Sequence, residues 1–364
     1  MNNIFKDPIY IWGTGKQAEI INKTYSCVLK RMNIAGYIDN NSNKWGKNIY
    51  GKHIFSPKVI TESGICNIYF ALSKENKRAV LEQLNKEYPG KIGVIEDEIF
   101  TRIQIINRYS GSEEDELREI LSYLSGHPLE IFNYSFIDYH TVSEDDIYWD
   151  DDAHLYYVIY QGKRMYFSST FSTKTEVKNY YESILIEQDE NSPHRYLSDS
   201  FDVKKDAVVI DAGVAEGNFS LEIIDKVKKI YMFEPDTNWL EALKYTFAPY
   251  KDKIEIIPKG ISNYCDDDTT TIDDAISTPV DFIKMDIEGE EYYALQGALR
   301  TISSSPDIML AICTYHQELA YDVISSYFEK HGIQYSPSKG YMYYPDSRFR
   351  HDSLRRALIL GRKD

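Results

Sequence analysis

The chain has 364 residues, an ordinary apolar share of 43% and a formal net charge of -16 at pH 7, so it is long enough for two or three domains with cores of their own. No stretch approaches the ~18 consecutive apolar residues of a membrane span, and the acidic balance argues against nucleic acid or an anionic membrane as partner, because polyphosphates need a basic surface. We therefore expect a small molecule, a neutral sugar or a protein as the partner.

Both the amino terminus and the cysteines bear on the cellular setting. Residues 1–8 lack a charged segment followed by a long apolar one, so no secretory signal is predicted and a cytoplasmic protein is expected. The cysteines are far apart, form no metal-ligand pairs and are expected to be buried free thiols; they are Cys27, Cys66, Cys265 and Cys313.

Residues 1–100 alternate short apolar runs with helical patterns, which predicts a Rossmann-like α/β domain with a parallel sheet. The run IYIWGTGKQAEII predicts a strand, a glycine turn and a helix, and IAGYIDNN and NIYFALS predict later strands. Gly13, Gly15 and Ala18 have the spacing of a dinucleotide-binding loop, and Asp39 follows the next strand. The segment resembles the nucleotide-binding-type Rossmann domains attached to bacterial sugar-modifying enzymes. Either Gly13, Gly15 and Asp39 bind NAD or a nucleotide sugar, or the module serves substrate docking or assembly of a homo-oligomer.

Residues 101–190 are predicted to be an α+β connector. A helix with Leu117, Ile120 and Leu124 on one face comes first, and HLYYVIYQGKRMYFSS at 154–169 predicts a β-hairpin around Gly162. A helical stretch then runs to about Glu187. The segment EQDENSPHRYLS that follows is either a linker or the place from which His194, Arg195 or Tyr196 closes over a pocket.

Residues 191–364 predict a larger doubly wound α/β domain. VVIDAGVAEGNFS at 208–220 predicts a buried strand, a glycine turn and a helix, and KIYMFEPD, IEIIPKGIS, VDFIKMDIEG, IMLAICTYH and RRALIL predict the later strands. Ligands of such sheets bind beyond the carboxyl ends of the strands at the topological switch point. Asp211, Glu234 and Asp286 are predicted to lie there.

The kind of ligand is indicated by Asp211, which stands where a dinucleotide-binding loop has its first glycine. Asp211 would repel a pyrophosphate but suits a cationic or hydroxyl-bearing ligand, and Glu234 suits the two hydroxyls of a ribose. S-adenosylmethionine has a ribose, a positive amino group and a positive sulfonium, so it fits this pattern. The alternative is that Gly213 and Gly217 only form a tight strand-to-helix turn.

The segment from about Ser192 to the end resembles the FkbM-type methyltransferase family. The resemblance is carried by DAGVAEGNFS, FEPD, TTIDD and above all VDFIKMDIEGEEYYALQGA, with its pattern K-x-D-x-E-G-x-E. It implies a class I methyltransferase fold that uses S-adenosylmethionine to O-methylate hydroxyl groups. It also implies that Asp211, Gly213, Gly217 and Glu234 contact the cofactor. Glu216, Asn218 and Asp286 are further candidate cofactor contacts. Glu216 replaces the small or amide residue of many members.

Methyl transfer to a hydroxyl also needs a group that removes the acceptor's proton. The candidates are Asp286 and Glu288, implied by the resemblance, and His316, which has a suitable pKa. We expect Asp286 and Glu288 to alternate along a strand end and face one crevice. His316 could instead cap the next helix, and the two carboxylates could hold Mg²⁺.

We therefore expect an S-adenosylmethionine-dependent O-methyltransferase acting on a sugar or glycoconjugate precursor. The alternatives are a nucleotide-sugar oxidoreductase that uses the amino-terminal domain and a non-catalytic scaffold with a methyltransferase fold.

Overall fold

The computed structural model describes residues 8–62, 65–345 and 353–363. Residues 1–7, on which the expectation about a secretory signal depends, lie outside them. The chain forms two compact units; the first comprises residues 1–113 and 120–129, and the second comprises residues 114–119 and 130–364. The residues predicted as a connector are thus divided between the two units.

The first unit is a six-stranded sheet with helices. Its strands are β1 (Ile9–Trp12), β2 (Ile34–Ile38), β3 (Asn48–Ile49), β4 (Lys52–Phe55), β5 (Cys66–Phe70) and β6 (Ile92–Ile95). Its helices are α1 (Lys16–Thr24), α2 (Ser26–Leu29), α3 (Val59–Glu62), α4 (Lys74–Glu87) and α5 (Glu98–Tyr109). The order is β3-β4-β2-β1-β5-β6, and β4, β2, β1, β5 and β6 are parallel. The predicted α/β organisation with a parallel sheet is confirmed.

Helix α6 (Asp115–Leu124) has residues in both units. The strands of the second unit are β7 (Tyr148–Asp150), β8 (Leu155–Tyr160), β9 (Lys163–Tyr166), β10 (Val208–Ala212), β11 (Lys229–Phe233), β12 (Ile254–Ile257), β13 (Gly260–Ile261), β14 (Thr269–Thr270), β15 (Phe282–Met285), β16 (Met309–Cys313), β17 (Gln334–Pro337), β18 (Met342–Tyr343), β19 (Leu354–Arg355) and β20 (Leu358–Arg362). Its further helices are α7 (Lys174–Glu187), α8 (Asn218–Ile223), α9 (Thr237–Thr246), α10 (Ile272–Ala275), α11 (Glu291–Gln296), α12 (Leu299–Ser304) and α13 (Ala320–Lys330).

The main sheet of the second unit has the order β12-β11-β10-β15-β16-β20-β17. Strands β12, β11, β10, β15 and β16 are parallel, and β20 is antiparallel to both β16 and β17. This arrangement is that of a Rossmann-like class I methyltransferase fold, as predicted. Because β11 pairs with one side of β10 and β15 with the other, the carboxyl ends of β10 and β15 form the switch point.

Burial explains why the central strands of this sheet appear in the sequence as continuous apolar runs. All five residues of β16 and all four of β15 are buried, as expected of central parallel strands covered on both faces. Lys284 is the one charged residue of those two strands. Since a charge is buried only with a partner, Lys284 must have an anionic partner nearby.

Two further expectations concern the hairpin and the cysteines. The hairpin around Gly162 is confirmed as β8 and β9, and β7 adds a third strand to it. The expectation of four buried cysteines is wrong for Cys27 and Cys265, which are exposed. Among the described residues, no helix has the length and apolar character needed to span a membrane.

Candidate active site

The carboxyl ends of the central strands in the second unit surround a cavity of about 560 Å³. This volume lies within the range of about 300–1,000 Å³ that is usual for small-molecule sites. Seven carboxylic side chains and two lysines line it: Glu187, Glu216, Glu234, Asp236, Asp286, Glu288, Glu290, Lys259 and Lys284. Aromatic rings also contribute, namely those of Tyr180, Tyr196, Phe233, Trp239 and Tyr315. The cavity is therefore rich in acidic groups and aromatic surface.

Gly213 lies where the chain leaves β10 and lines the cavity. Its φ of +76° is in the left-handed region, and a Cβ there would lie 1.7 Å from the carbonyl oxygen of Asp286. Only glycine lets the loops after β10 and β15 approach each other this closely.

Gly217 is placed differently from Gly213. It precedes α8 with a φ of +85°, and a Cβ there would lie 2.7 Å from the Phe247 ring. It does not line the cavity. The alternative interpretation, a tight strand-to-helix turn, therefore describes Gly217 better than a cofactor contact does.

Asp211 is also predicted as a cofactor contact, but the structure places it behind the cavity. Its side chain is fully buried, accepts a hydrogen bond from Ser220 and lies 3.1 Å from the Lys284 ammonium. Asp211 and Lys284 face each other in the β10–β15 register. The cation that Asp211 neutralises is thus Lys284, which lines the cavity and whose Nζ also donates to the Gly213 carbonyl.

Burial favours the neutral form of Lys284, but the carboxylates of Asp211 and Asp286 outweigh burial and raise its pKa. Lys284 therefore remains an ammonium group within the sheet. The ring of Tyr196 lies 5.2 Å from Nζ, within the range of a cation–π contact.

Glu234 follows β11 and is 6% exposed. One carboxylate oxygen accepts the N–H of Ala215 and the other accepts the N–H of Asp236, both at 2.8 Å. A carboxylate has about four acceptor sites, so each oxygen can accept one more hydrogen bond. Two fixed acceptors side by side suit a vicinal diol.

Two more residues of the predicted loop, Glu216 and Asn218, line the cavity. The Tyr180 hydroxyl of α7 donates to Glu216 at 2.8 Å. Burial raises the pKa of Glu216 to about 7, so this carboxyl group is partly protonated at neutral pH. Helix α7 therefore supplies one wall of the cavity, which the sequence did not indicate.

Asp286 is the first residue after β15 and lies at the centre of the site. The hydroxyl groups of Tyr196 and Tyr315 donate to its two oxygens, at 2.9 and 3.2 Å. Burial raises the pKa of Asp286, but the imidazoles of His194 and His316 and the ammonium of Lys284 outweigh burial and lower it to about 2. Asp286 is thus a carboxylate at any physiological pH, held in one orientation.

The expected alternation of Asp286 and Glu288 along a strand is wrong. Strand β15 ends at Met285, and Glu288 has a φ of +60° in the turn that follows. The Glu288 side chain is 85% exposed, whereas that of Asp286 is 18% exposed. The two carboxylates border one cavity, but a turn and not the strand period brings them there.

His316 lies next to Asp286, as predicted, and is buried. Its Nε2 is 3.4 Å from Asp286 and 3.6 Å from Glu288, and its Nδ1 is 2.9 Å from Oε1 of Glu291. Helix α13 begins four residues later, at Ala320, with Leu319 at its N-cap position. His316 therefore contacts the acidic residues instead of capping that helix.

Besides Glu187 and Gln188, which line the cavity, the segment 187–198 contributes two residues to the site. Tyr196 lines the cavity, and His194 is fully buried with Nε2 3.6 Å from Asp286. Arg195 instead pairs with Glu222 and does not line the cavity. The linker interpretation is therefore incomplete, because Tyr196 orients the central carboxylate.

Two ionisable groups of this segment are neutral at pH 7. Burial lowers the pKa of His194 to about 4, and burial raises the pKa of Glu187 to about 8. Their contact of 3.1 Å is therefore one between neutral groups and not an ion pair.

A metal would need ligand atoms that are open to it. Asp286, Glu291 and His316 have ligand atoms within 4.8 Å of one another. However, Oε1 of Glu291 already accepts the N–H groups of Ile287 and Gly289 as well as the His316 ring. Mg²⁺ prefers several oxygen ligands and water, so this arrangement does not fit it.

In the first unit, Gly13, Gly15 and Asp39 border a separate cavity of about 410 Å³. The strand, glycine turn and helix are as predicted, and Gly13 has a φ of +103°. The Asp39 carboxylate already accepts hydrogen bonds from Thr14 and Lys44, whereas the dinucleotide interpretation needs this acid for a ribose. A nucleotide in this cavity stays a prediction.

Around Asp286, sequence reasoning missed Lys284, Glu291 and Tyr315. Lys284 and Glu291 are both in the K-x-D-x-E-G-x-E pattern, and a lysine inside an apolar strand run was the available signal. Tyr315 precedes His316, and nothing in the sequence indicates that its hydroxyl reaches Asp286.

Comparison with known proteins identifies two regions of the chain. Residues 260–335 match the family described as the methyltransferase FkbM domain. Residues 5–99 match the family described as C2185-like, N-terminal. No curated protein matches the chain. The first match includes β15, β16 and the residues from Asp286 to His316, and it indicates a methyltransferase.

Three solved structures with a similar arrangement are distant in sequence. The methyltransferase FkbM from Methylobacillus flagellatus KT has 18% identity and a TM-score of 0.41, covering 98% of this chain and 90% of its own. A Streptococcus mutans protein crystallised in complex with SAH has 14% identity and a TM-score of 0.32, covering 44% of this chain and 90% of its own. An rRNA methylase from Streptococcus thermophilus has 16% identity and a TM-score of 0.31, covering 44% of this chain and 87% of its own.

Proposed function

We propose that the second unit is an S-adenosylmethionine-dependent O-methyltransferase that acts on a hydroxyl group of a sugar or glycoconjugate precursor. The observation that carries the proposal is the cavity at the carboxyl ends of β10, β11 and β15, where Gly213, Glu234 and Asp286 meet. The family match over residues 260–335 supports the reaction type.

The charge of the cavity supports this cofactor over a dinucleotide. Of the seven acidic side chains that line the cavity, Glu187 is neutral and Glu216 is partly protonated, but the other five still outnumber the two lysines. This balance disfavours a pyrophosphate, whereas a sulfonium and an ammonium group gain from it. The ribose of the cofactor is assigned to Glu234, whose two oxygens are held in place by the backbone of residues 215 and 236. Gly213 lines the cavity where the two loops meet, so its backbone is open to contact with the cofactor.

A hydroxyl-bearing acceptor agrees with the remaining groups. The carboxylates of Asp286 and Glu288 accept hydrogen bonds from hydroxyl groups, and the rings of Tyr196 and Tyr315 offer apolar surface beside them. A sugar combines hydroxyl groups with apolar ring faces. A phosphate-bearing acceptor would meet the acidic surface directly.

When bound, S-adenosylmethionine supplies an electrophilic methyl group. The chain positions the acceptor oxygen in line with it, which accounts for much of the lowering of the barrier. Asp286 is ionised, faces the cavity and is held by Tyr196 and Tyr315, so it is the group assigned to take the acceptor's proton. Asp286 and Glu288 also orient the acceptor.

The cofactor site is tested by replacing Glu234 with alanine. We expect the affinity for S-adenosylmethionine to fall by at least about 10-fold, because hydrogen bonds to a charged group contribute about 1.5–3 kcal/mol each. Isothermal titration calorimetry measures the affinity. The control is Glu255→Ala, which removes a half-exposed carboxylate on β12 and is expected to change nothing. Equal affinities in the two variants would remove Glu234 from the site.

The catalytic assignment is tested by Asp286→Asn, which keeps the shape of the side chain. We expect this variant to bind cofactor but to lose turnover by about 10²-fold or more, the usual contribution of proton transfer. Turnover is measured as S-adenosylhomocysteine formed with an acceptor. A similar loss is expected for His316→Ala. Full activity in both variants would leave catalysis to positioning.

A further inference from the structure

Glu291 is a buried carboxylate that the proposed reaction does not yet use. It is 2% exposed and lies at the start of α11. Its Oε1 atom accepts the backbone N–H groups of Ile287 and Gly289, at 3.1 and 3.2 Å. The same oxygen lies 2.9 Å from Nδ1 of His316. A carboxylate thus links the turn after β15 to the segment after β16.

The hydrogen-bond roles in this contact follow from the neighbours of the oxygen. An atom that accepts two N–H groups is an acceptor toward the ring as well, so Nδ1 of His316 carries the proton and donates it. In a neutral imidazole the other nitrogen then has the lone pair. That nitrogen, Nε2, lies 3.4 Å from Asp286.

Asp286, His316 and Glu291 lie at different distances from the cavity. Asp286 lines the cavity, whereas neither His316 nor Glu291 does. His316 therefore lies behind Asp286 as seen from the acceptor, and Glu291 lies behind His316. A proton released in the cavity reaches Asp286 first and His316 second.

Resting on the proposed methyl transfer, we propose that Glu291 is a positioning residue that holds His316 with its Nε2 toward Asp286, so that the acceptor's proton passes from Asp286 to His316. The methyl carbon forms a bond to the acceptor oxygen, and the carbon–sulfur bond breaks with its electrons left on sulfur. The acceptor's O–H bond breaks, and its proton goes to Asp286 and then to Nε2 of His316. The neutral imidazole becomes an imidazolium held between two carboxylates and later loses the proton to solvent.

The surroundings of His316 support this direction of transfer. Within residues 8–62, 65–345 and 353–363, the titratable groups that face its ring are Asp286, Glu288, Glu291, Tyr315, Tyr344 and His194. Burial lowers the pKa of His316, but the hydrogen bond to Glu291 and the charge of Asp286 outweigh burial and raise it. His316 is therefore a stronger base than Asp286, which stays ionised. The separation of 3.4 Å is longer than a formed hydrogen bond, as is common for catalytic contacts without ligand.

Nuclear magnetic resonance of the full chain labelled with ¹⁵N-histidine tests the arrangement without any acceptor. In the wild type we expect neutral His316 to carry its proton on Nδ1. In Glu291→Gln we expect the pKa of His316 to fall by about one to three units, because a carboxylate in contact has been removed. Glu288→Gln is the matched control: its side chain lies 3.6 Å from the same ring but is 85% exposed, so a smaller shift is expected.

Two results would overturn the proposal. One is a proton on Nε2 of neutral His316 in the wild type. This result does not depend on whether any variant folds. The other is an unchanged pKa in folded Glu291→Gln. Failure of the proposed function would be seen separately, as wild-type protein that does not bind S-adenosylmethionine while its His316 behaves as expected. With an acceptor in hand, Glu291→Gln should shift the acidic limb of the kcat profile to lower pH, because His316 must be neutral at the start.

Discussion

Replacing Lys284 with methionine is expected to lower the free energy of unfolding of the second unit by about 3–5 kcal/mol, the usual cost of breaking a buried ion pair by removing one partner. Asp211 would remain at 0% exposure without its cation, and among the described residues the Ser220 hydroxyl would be its remaining side-chain hydrogen-bond partner. Hydrogen-exchange mass spectrometry of peptides from β10 and β15 measures the loss in the unit concerned.

Two variants make this expectation specific. Lys229→Met removes a surface lysine paired with Glu255 and should cost at most about 1 kcal/mol. The double variant Asp211→Asn with Lys284→Met removes both charges and should recover much of the loss, because no unpaired charge remains buried. A loss in Lys284→Met no larger than that in Lys229→Met would show that the pair does not stabilise the sheet.

Gly213→Ala is expected to destabilise the second unit by about 2–5 kcal/mol and to abolish cofactor binding. A left-handed conformation costs a residue with a side chain about 1–2 kcal/mol, and overpacking adds about 1–3 kcal/mol. The clash is with backbone, 1.7 Å from the Asp286 carbonyl oxygen, so no side chain can move aside. The loop must shift, and it is the loop that borders the cofactor cavity.

Gly162→Ala separates the cost of the left-handed conformation from the cost of the backbone clash. Gly162 has a similar φ of +80°, but no atom lies within 4 Å of the position that a Cβ would take there, so this variant reports the cost of the backbone conformation alone. We expect it to lose about 1–2 kcal/mol and to bind S-adenosylmethionine with wild-type affinity. If Gly213→Ala bound the cofactor equally well, the close approach of the two loops would have no part in the site.

The elements that sequence predicts well are those with local signals. A strand followed by Gly213 and a helix, and a strand that ends before Asp286, are visible as apolar runs with glycine turns. The expectation about Glu288 is wrong because a run of alternating residues does not reveal where the strand ends. Here β15 ends at Met285, and positive φ values at Glu288 and Gly289 form a turn.

Contacts between distant parts of the chain could not be predicted in the same way. Tyr196 donates to a residue 90 positions later, and His316 contacts Glu291 across 25 positions. The pairing of Asp211 with Lys284 depends on the register of β10 and β15, which a single sequence does not fix. The sequence pattern therefore assigns Asp211 to the cofactor, although its partner is a lysine of the neighbouring strand.

The measurement that tests the account most directly is calorimetric titration of the full chain with S-adenosylmethionine and with S-adenosylhomocysteine. We predict one site per chain for each ligand, weakened at least about 10-fold by Glu234→Ala and unaffected by Glu255→Ala. Folded wild-type protein that binds neither ligand would contradict the assignment of the cavity and, with it, the proposed methyl transfer.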